Sequence, residues 1–417
     1  MLGHSYTPDG PTTFQGRIVA DSRPSSLITG SDYYKRSKPQ YENAPASNFI
    51  SVRDSGAKGD GVTDDSDVLI DVLASAAENG KIVYFDHGDY LVTKTIYFPP
   101  KSKVVGEAFP VFLSSGSFFA DIKHPQPVVQ IGKPGETGHV EWSDFIVSTK
   151  GAQAGAILIQ WNLAAPVANP AGMWDVHTRI GGFAGSDLQV SQCPTTPGTT
   201  VDSSNLNKNC VAAFMSLHVT KSATGLYMEN CWLWVADHDI EDPSLTQITV
   251  YAGRGLLIES TKGAIWLVGT AVEHHVLYQY QLSSTRDIFM GQIQTETAYY
   301  QPNPDTLLPF TALSAYHDPT TAAGGRGWGL RVVDSTNVFA YGAGLYSFFS
   351  NNNVSCSNPD NDEKCQPRIF SVENSLISMY NLNTIGVKEM ITESGTDIAS
   401  SSDNLNGFID TIALFKS

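Results

Sequence analysis

The feature that most constrains this chain is a repeated interval. From Lys81 onward, short β-patterned segments recur between turns rich in Gly, Asn, Asp and Pro, for example Ile82–Phe85, Val128–Ile131, Ala156–Gln160, Leu256–Glu259 and Leu330–Val333. In the stretch 263–301 two such segments each carry a glutamate, Glu273 and Glu296, 23 residues apart. That is about the length of one coil of a parallel β-helix, in which strand stacks on strand. Stacked strands lie about 4.8 Å apart, so residues one coil apart on one face are neighbours in space. Many short strands without alternating helices exclude a doubly wound α/β fold. A sandwich is the competing all-β solution; coil-length spacing over 417 residues favours a single right-handed parallel β-helix.

Alternation refines the second glutamate segment. From Asp287 onward, Phe289, Gly291, Ile293 and Thr295 form one set, and Gln292, Gln294 and Glu296 the other. The Phe289/Ile293 set is expected in the core. The amide-and-carboxylate set is expected outside, followed at once by Tyr299 and Tyr300. A carboxylate flanked by amides and rings suits a sugar site; an ordinary solvated face is the plainer alternative.

A net charge of −16 argues against nucleic acid and against a polyanionic polymer, and favours a neutral one. No apolar run is long enough to cross a membrane. The opening MLGHSYTPDG is too polar for a signal peptide. The expectation is a fragment, or an exported protein whose signal has been lost. Five cysteines bear on the compartment. Cys193/Cys210 and Cys356/Cys365 each flank a polar loop and are expected to pair in an oxidising, extracellular setting, leaving Cys231 as a buried thiol. The alternative is five reduced thiols. Asn353-Val354-Ser355 is a glycosylation sequon.

Residues 1–48 carry little periodicity and read as an extended arm or interdomain linker; residues 49–417 read as the β-helix domain. Within the latter, a helix over 63–79 is expected to cap the first coil, with Val68, Leu69, Val72, Leu73 and Ala76 as its apolar face and Gly80 as its stop. The loop DSGAKGDGVTDD lacks the Lys-Ser/Thr of a P-loop and the glutamate position of an EF-hand, so Asp60, Asp64 and Asp65 read as structural. No metal or cofactor is expected. The apolar run 408–415 is expected to form a final strand.

DSGAKGDGVTDDSDVL resembles the opening signature of the pectate-lyase-like β-helix superfamily. Further stretches resemble the C-terminal half of the fungal exo-β-1,3-glucanases of glycoside hydrolase family 55: GMWDVHTRIGGFAGSDLQV, NCWLWVADHDIEDPSLTQITVYAGRGLLIES, GTAVEHHVLYQYQL and MGQIQTETAYYQPNP. The resemblance implies two tandem β-helices with a pocket between them, of which this chain holds one, the N-terminal partner domain being absent. It implies a secreted glucan 1,3-β-glucosidase that releases glucose from laminarin-like β-1,3-glucan with inversion. On that resemblance Glu296, in QTETAYY, matches the general acid, and Glu273, in AVEHH, the carboxylate that holds the attacking water. The family places a Gln and a Ser around that water from its other domain.

Trp232, Trp234 and His238, with His274, Gln294 and Tyr299, are the candidate sugar-binding residues; core aromatics are the alternative for the tryptophans. Adjacent His274 and His275 face opposite ways on a strand and cannot simply share a metal. Asp237, Asp239 and Glu241 read as turn residues, with sugar-hydroxyl ligands as the alternative, and Trp174, Asp175 and His177 as weaker sugar candidates. Glu296 is expected to be the more desolvated glutamate, with the higher pKa. Two other functions stay open: a polysaccharide lyase on the same fold, and a non-catalytic, carbohydrate-binding or truncated β-helix.

Overall fold

The computed structural model describes residues 2–7, 10–15, 19–320, 324–358 and 364–417. Among these, the chain winds back and forth between two long, mostly parallel sheets. The first runs through Phe49–Ser51, Ile82–Phe85, Lys103–Gly106, Glu141–Thr149, Ala171–Ile180, Leu226–Glu229, Ile265–Glu273, Arg286–Glu296, Thr336–Tyr346 and Ile377–Ile385. The second interleaves Ile96–Phe98, Gln126–Ile131, Ala156–Trp161, Val211–Val219, Tyr251–Ile258, Tyr278–Ser283 and Trp328–Val333. Strand order along each sheet follows chain order, so each turn of the solenoid adds a rung to both. Inward side chains are mostly apolar and include Phe85, Phe98, Trp142, Trp161, Tyr278 and Tyr280, all buried. The solenoid ends in reversed pairings: Ile409–Lys416, the expected final strand, runs antiparallel to Ile377–Ile385.

A column of left-handed residues bends the first sheet. Asp144, Asp175, Asn230, Gly269, Gln292, Gly342 and Asn381 all have positive φ. The register stacks them one per coil. Asp, Asn and Gly tolerate this conformation and fill six of the seven positions, Gln292 being the exception. Each such residue turns the strand and shifts its alternation by one place. Hence Ile288 and Met290 point inward before Gln292, whereas Ile293 and Thr295 point inward after it. Phe289 is therefore not a core residue, contrary to the alternation read from the sequence: it lies outside, stacked on Tyr33 with ring centroids 4.1 Å apart.

That outer aromatic surface is covered by the chain's own arm. Asp21 meets Tyr380 and Lys416 of the last strands. Ser26 donates to Asp287, Tyr34 packs on Tyr227 and Trp266, and Lys38 pairs with Asp144 and Asp175. Tyr41 and Arg36 bind Glu141. The segment from Asp21 to Tyr41 thus runs back along the solenoid before the chain enters the sheet at Phe49. Trp174, which donates to the Arg36 carbonyl, is buried beneath it, and Asp175 is bound by Lys38. Neither side chain is presented as a sugar ligand.

The one long helix among the described residues is Ser66–Asn79, ended by Gly80 at φ 65°. It starts later than the acidic run suggested because Asp60–Asp64 pairs with Asp89–Val92 as a strand. Leu69, Val72, Leu73 and Ala76 are buried, and the helix lies beside Ile96–Phe98, the end strand of the second sheet. Asp65 accepts from the Lys58 and Gly59 amides and so shapes the preceding loop.

Candidate active site

Two rows of side chains cross the outer face of the first sheet after the bend. In one row Arg179, Trp234, Glu273, Glu296 and Tyr346 are successive register partners. In the next, Trp232, Ala271, Gln294 and Gly344 align in the same way. Parallel pairing in register places the two glutamates on adjacent rungs, and alternation after Gln292 turns Gln294 and Glu296 to the same side.

Hydrogen bonds join the rows. Trp232 Nε1 donates to Glu273 Oε2 at 2.8 Å. Gln294 Nε2 lies 3.0 Å from Glu273 Oε1 and 3.4 Å from Glu296 Oε1, so one amide bridges the two carboxyls. Glu296 Oε2 accepts from the Tyr299 hydroxyl at 3.0 Å and faces His274 Nε2 at 3.4 Å. Glu273 is 6% exposed, while the Glu296 side chain retains 18%. The order of burial is the reverse of the sequence expectation. Trp232, from the preceding coil, closes over Glu273; nothing local to either glutamate signals this. Burial pushes the Glu273 carboxyl up to about 7, with His274 pulling it down and Glu296 adding to the rise.

The adjacent histidines have opposite surroundings. His275 points into the core beside Ser216 and Gln279, and burial drives its pKa down to about 3. His274 lies on the glutamate side, 4% exposed, its Nδ1 2.9 Å from the Val235 carbonyl. Burial disfavours its charge, but the bond to Glu296 and the fields of Asp237, Glu296 and Glu273 outweigh that and push it up to about 9. Among the described residues no group of three potential ligands is arranged to hold a metal ion.

Aromatic rings wall the site. Trp232 and Trp234 stack at 4.9 Å; Trp232 is 40% exposed and Trp234 4%. His238 lies 5.5 Å from Trp234 and bonds Asp237. His177 accepts from the Trp232 amide. Tyr299 stacks on Phe349 at 3.7 Å and meets the His274 ring edge-on at 4.6 Å. Asp237, which reads as a turn residue first and a hydroxyl ligand second, lies 3.6 Å from His274 Nδ1. One neighbour escaped the sequence reading. Phe349 follows Tyr346, the register partner of Glu296, and that run of aromatic residues was the available signal.

Disulfides brace the rim. Cys193–Cys210 and Cys356–Cys365 are bonded, and Cys231 is free and buried. The first closes a loop whose Pro197 and Thr199 carbonyls accept from Asn351 and Asn303. Asn352 in turn donates to the Tyr299 carbonyl, so the loop supports the Tyr299 turn.

Comparison with known proteins gives a consistent picture. The family model described as rhamnogalacturonase A/epimerase, pectate lyase-like, matches residues 49–164. A glucan 1,3-beta-glucosidase of Cochliobolus carbonum is 46% identical over 417 residues, 98% of this chain and 52% of the relative. A probable glucan endo-1,3-beta-glucosidase of Arthroderma benhamiae is 46% identical over 407 residues, 96% of this chain and 45% of the relative. The chain spans about half the length of the curated relatives it matches. In fold, it resembles sacteLam55A from Streptomyces sp. SirexAA-E, with TM-score 0.54 and 17% identity, over 89% of this chain and 55% of that one. Along nearly its whole length, the chain is thus similar to about half of a glucan 1,3-beta-glucosidase, and its residues 49–164 match a pectate lyase-like family model.

Proposed function

We propose that this chain is the catalytic-carboxylate half of an exo-acting β-1,3-glucanase that releases glucose from the non-reducing end of a laminarin-like glucan. The observation that carries the reading is the in-register pair Glu273/Glu296, bridged by Gln294 beside the Trp232/Trp234 stack. Glu296 acts as general acid: its O–H bond breaks and the proton passes to the glycosidic oxygen as the C1–O bond cleaves. Glu273 holds water, takes its proton and directs its oxygen to C1 from the opposite face, so the anomeric centre inverts. Closely placed carboxyls retain a proton as a pair, and the burial that raises Glu273 keeps one proton available towards neutral pH. Access separates the roles, since the more exposed Glu296 is better placed to reach a leaving sugar. Trp232, His238, Gln294 and Tyr299 line the sugar subsite, with Trp234 and His274 buried behind them.

In the same reading the fold is one right-handed β-helix over residues 49–417, with Ser66–Asn79 capping its first coil and residues 1–48 leading from an N-terminal β-helix that completes the pocket. Relatives of about twice the length support this arrangement, and paired cysteines support an extracellular setting. The test is incubation with laminarin, alone and with a supplied N-terminal half, with products resolved by chromatography. Glucose as first product supports the proposal. A ladder of oligosaccharides makes the enzyme endo-acting, unsaturated products make it a lyase, and binding without products makes it a non-catalytic carbohydrate-binding β-helix.

A further inference from the structure

Both ring nitrogens of His274 face acceptors. The Val235 carbonyl, 2.9 Å from Nδ1, has no hydrogen to give, so Nδ1 carries one. Nε2 faces Glu296 Oε2, which the Tyr299 hydroxyl also approaches. An oxygen that receives two donors is a poor place for its own proton. Glu296 Oε1 has only the longer Gln294 contact, at 3.4 Å, among the hydrogen bonds of this group.

The ring is held in place from several directions. Its backbone is left-handed, with φ 67°, a conformation that few non-glycine residues adopt. Tyr299 packs edge-on against it. The charged and titratable groups that face it are Asp237, Glu273, Glu296 and Tyr299, with His275 behind it and His238 acting through Asp237.

We propose that His274 is a positioning residue for Glu296: together with Tyr299 it holds Oε2, leaves Oε1 to carry the acid proton, and stabilises the negative charge Glu296 acquires on releasing that proton. This rests on the functional reading above. His274 neither gains nor loses a proton in the step. The Oε1–H bond breaks, a new O–H bond forms on the leaving sugar oxygen, which keeps the electron pair of the cleaved C1–O bond, and the carboxylate left behind gains two strengthened hydrogen bonds. Donors aimed at charge that develops during reaction lower the barrier more than they tighten binding.

Two measurements test this. The first needs no turnover: ring ¹⁵N NMR of the full chain. Both His274 nitrogens are expected to be protonated at about pH 7.5, above the ordinary histidine pKa, and Glu296→Gln is expected to bring deprotonation to lower pH. A ring protonated on Nδ1 alone at that pH overturns the proposal. The second compares substrates. His274→Asn, compatible with a left-handed backbone, is expected to lower kcat on laminarin by roughly 10²-fold with KM within about twofold. It is expected to spare an activated aryl glucoside and to move the alkaline limb of the pH profile upward. His274→Gln, whose amide can stand near the Nε2 position, restores part of the loss. Equal losses on both substrates overturn the proposal. A wild-type chain that releases no sugar, alone or supplemented, overturns the functional reading instead and leaves the NMR result to decide the placement of His274.

Discussion

Glu273 and Glu296 are register partners on adjacent parallel strands, and a single amide nitrogen, Gln294 Nε2, lies within hydrogen-bonding range of a carboxyl oxygen of each. Their chemistry is therefore coupled, and substitutions should separate their roles by substrate. Glu296→Gln is expected to lower turnover on laminarin by about 10²–10⁴-fold and to be far milder on an activated aryl glucoside, whose leaving group needs no proton. Glu273→Gln is expected to impair both, because water must be activated in either case. Steady-state kinetics on the two substrates, with NMR of the first-formed anomer, checks the assignment and its stereochemistry.

A pH dependence follows from His274. Its folded pKa, about 9, lies above the ordinary value of 6.5. Its contribution to stability is therefore complete below pH 6.5 and is lost as pH rises through 9. Glu273, raised from 4.5 to about 7, weakens the fold over that lower window in the same direction. His275, depressed to about 3, has the opposite sign: its contribution is present above 6.5 and lost on acidification. Denaturant midpoints of wild type and His274→Asn should differ most near neutral and acidic pH and converge towards about pH 9. A constant gap would show that the charge of His274 has no part in it.

The stacked tryptophans should respond differently. Trp234 is buried, and Trp234→Ala is expected to cost about 3–5 kcal/mol. Trp232 is partly exposed, so Trp232→Ala should cost only about 1 kcal/mol while raising KM on laminarin up to about tenfold. Trp232→Phe keeps a ring but removes the N–H that holds Glu273 Oε2, and is expected to lower kcat with little change in KM. Thermal melts and kinetics on the three variants distinguish packing, stacking and orientation.

The bend column offers a test of the fold itself. Asn381 is exposed and left-handed, with φ 61°. Asn381→Val should destabilise by about 1–2 kcal/mol from backbone strain alone, whereas Asn381→Gly should stay within about 1 kcal/mol of wild type. Equal effects in urea unfolding would argue against a left-handed backbone there.

Much of this organisation was legible before the structure. The interval between the glutamates follows from coil length, and the two cysteine pairs from the polar loops they close. Gln294 and Glu296 face outward as alternation implied. Phe289 does not face inward, because alternation is a local rule and the left-handed Gln292 resets its phase between them. Trp174 looked like a sugar platform because an aromatic residue on a strand carries no mark of what will cover it; the arm, more than a hundred residues earlier in sequence, covers it.

What the sequence alone determined was periodicity: a chain of short strands whose repeat brings Glu273 and Glu296 to adjacent rungs. What only the tertiary structure decided was environment. Trp232 comes from one coil, Glu273 from the next, and Gln294, Glu296 and Tyr299 from the one after. Which carboxyl is sealed from water, and which faces the His274 ring, depends on side chains from different coils that converge only when the solenoid is wound. Desolvation and electrostatic fields act through space, so no local pattern along the chain records them.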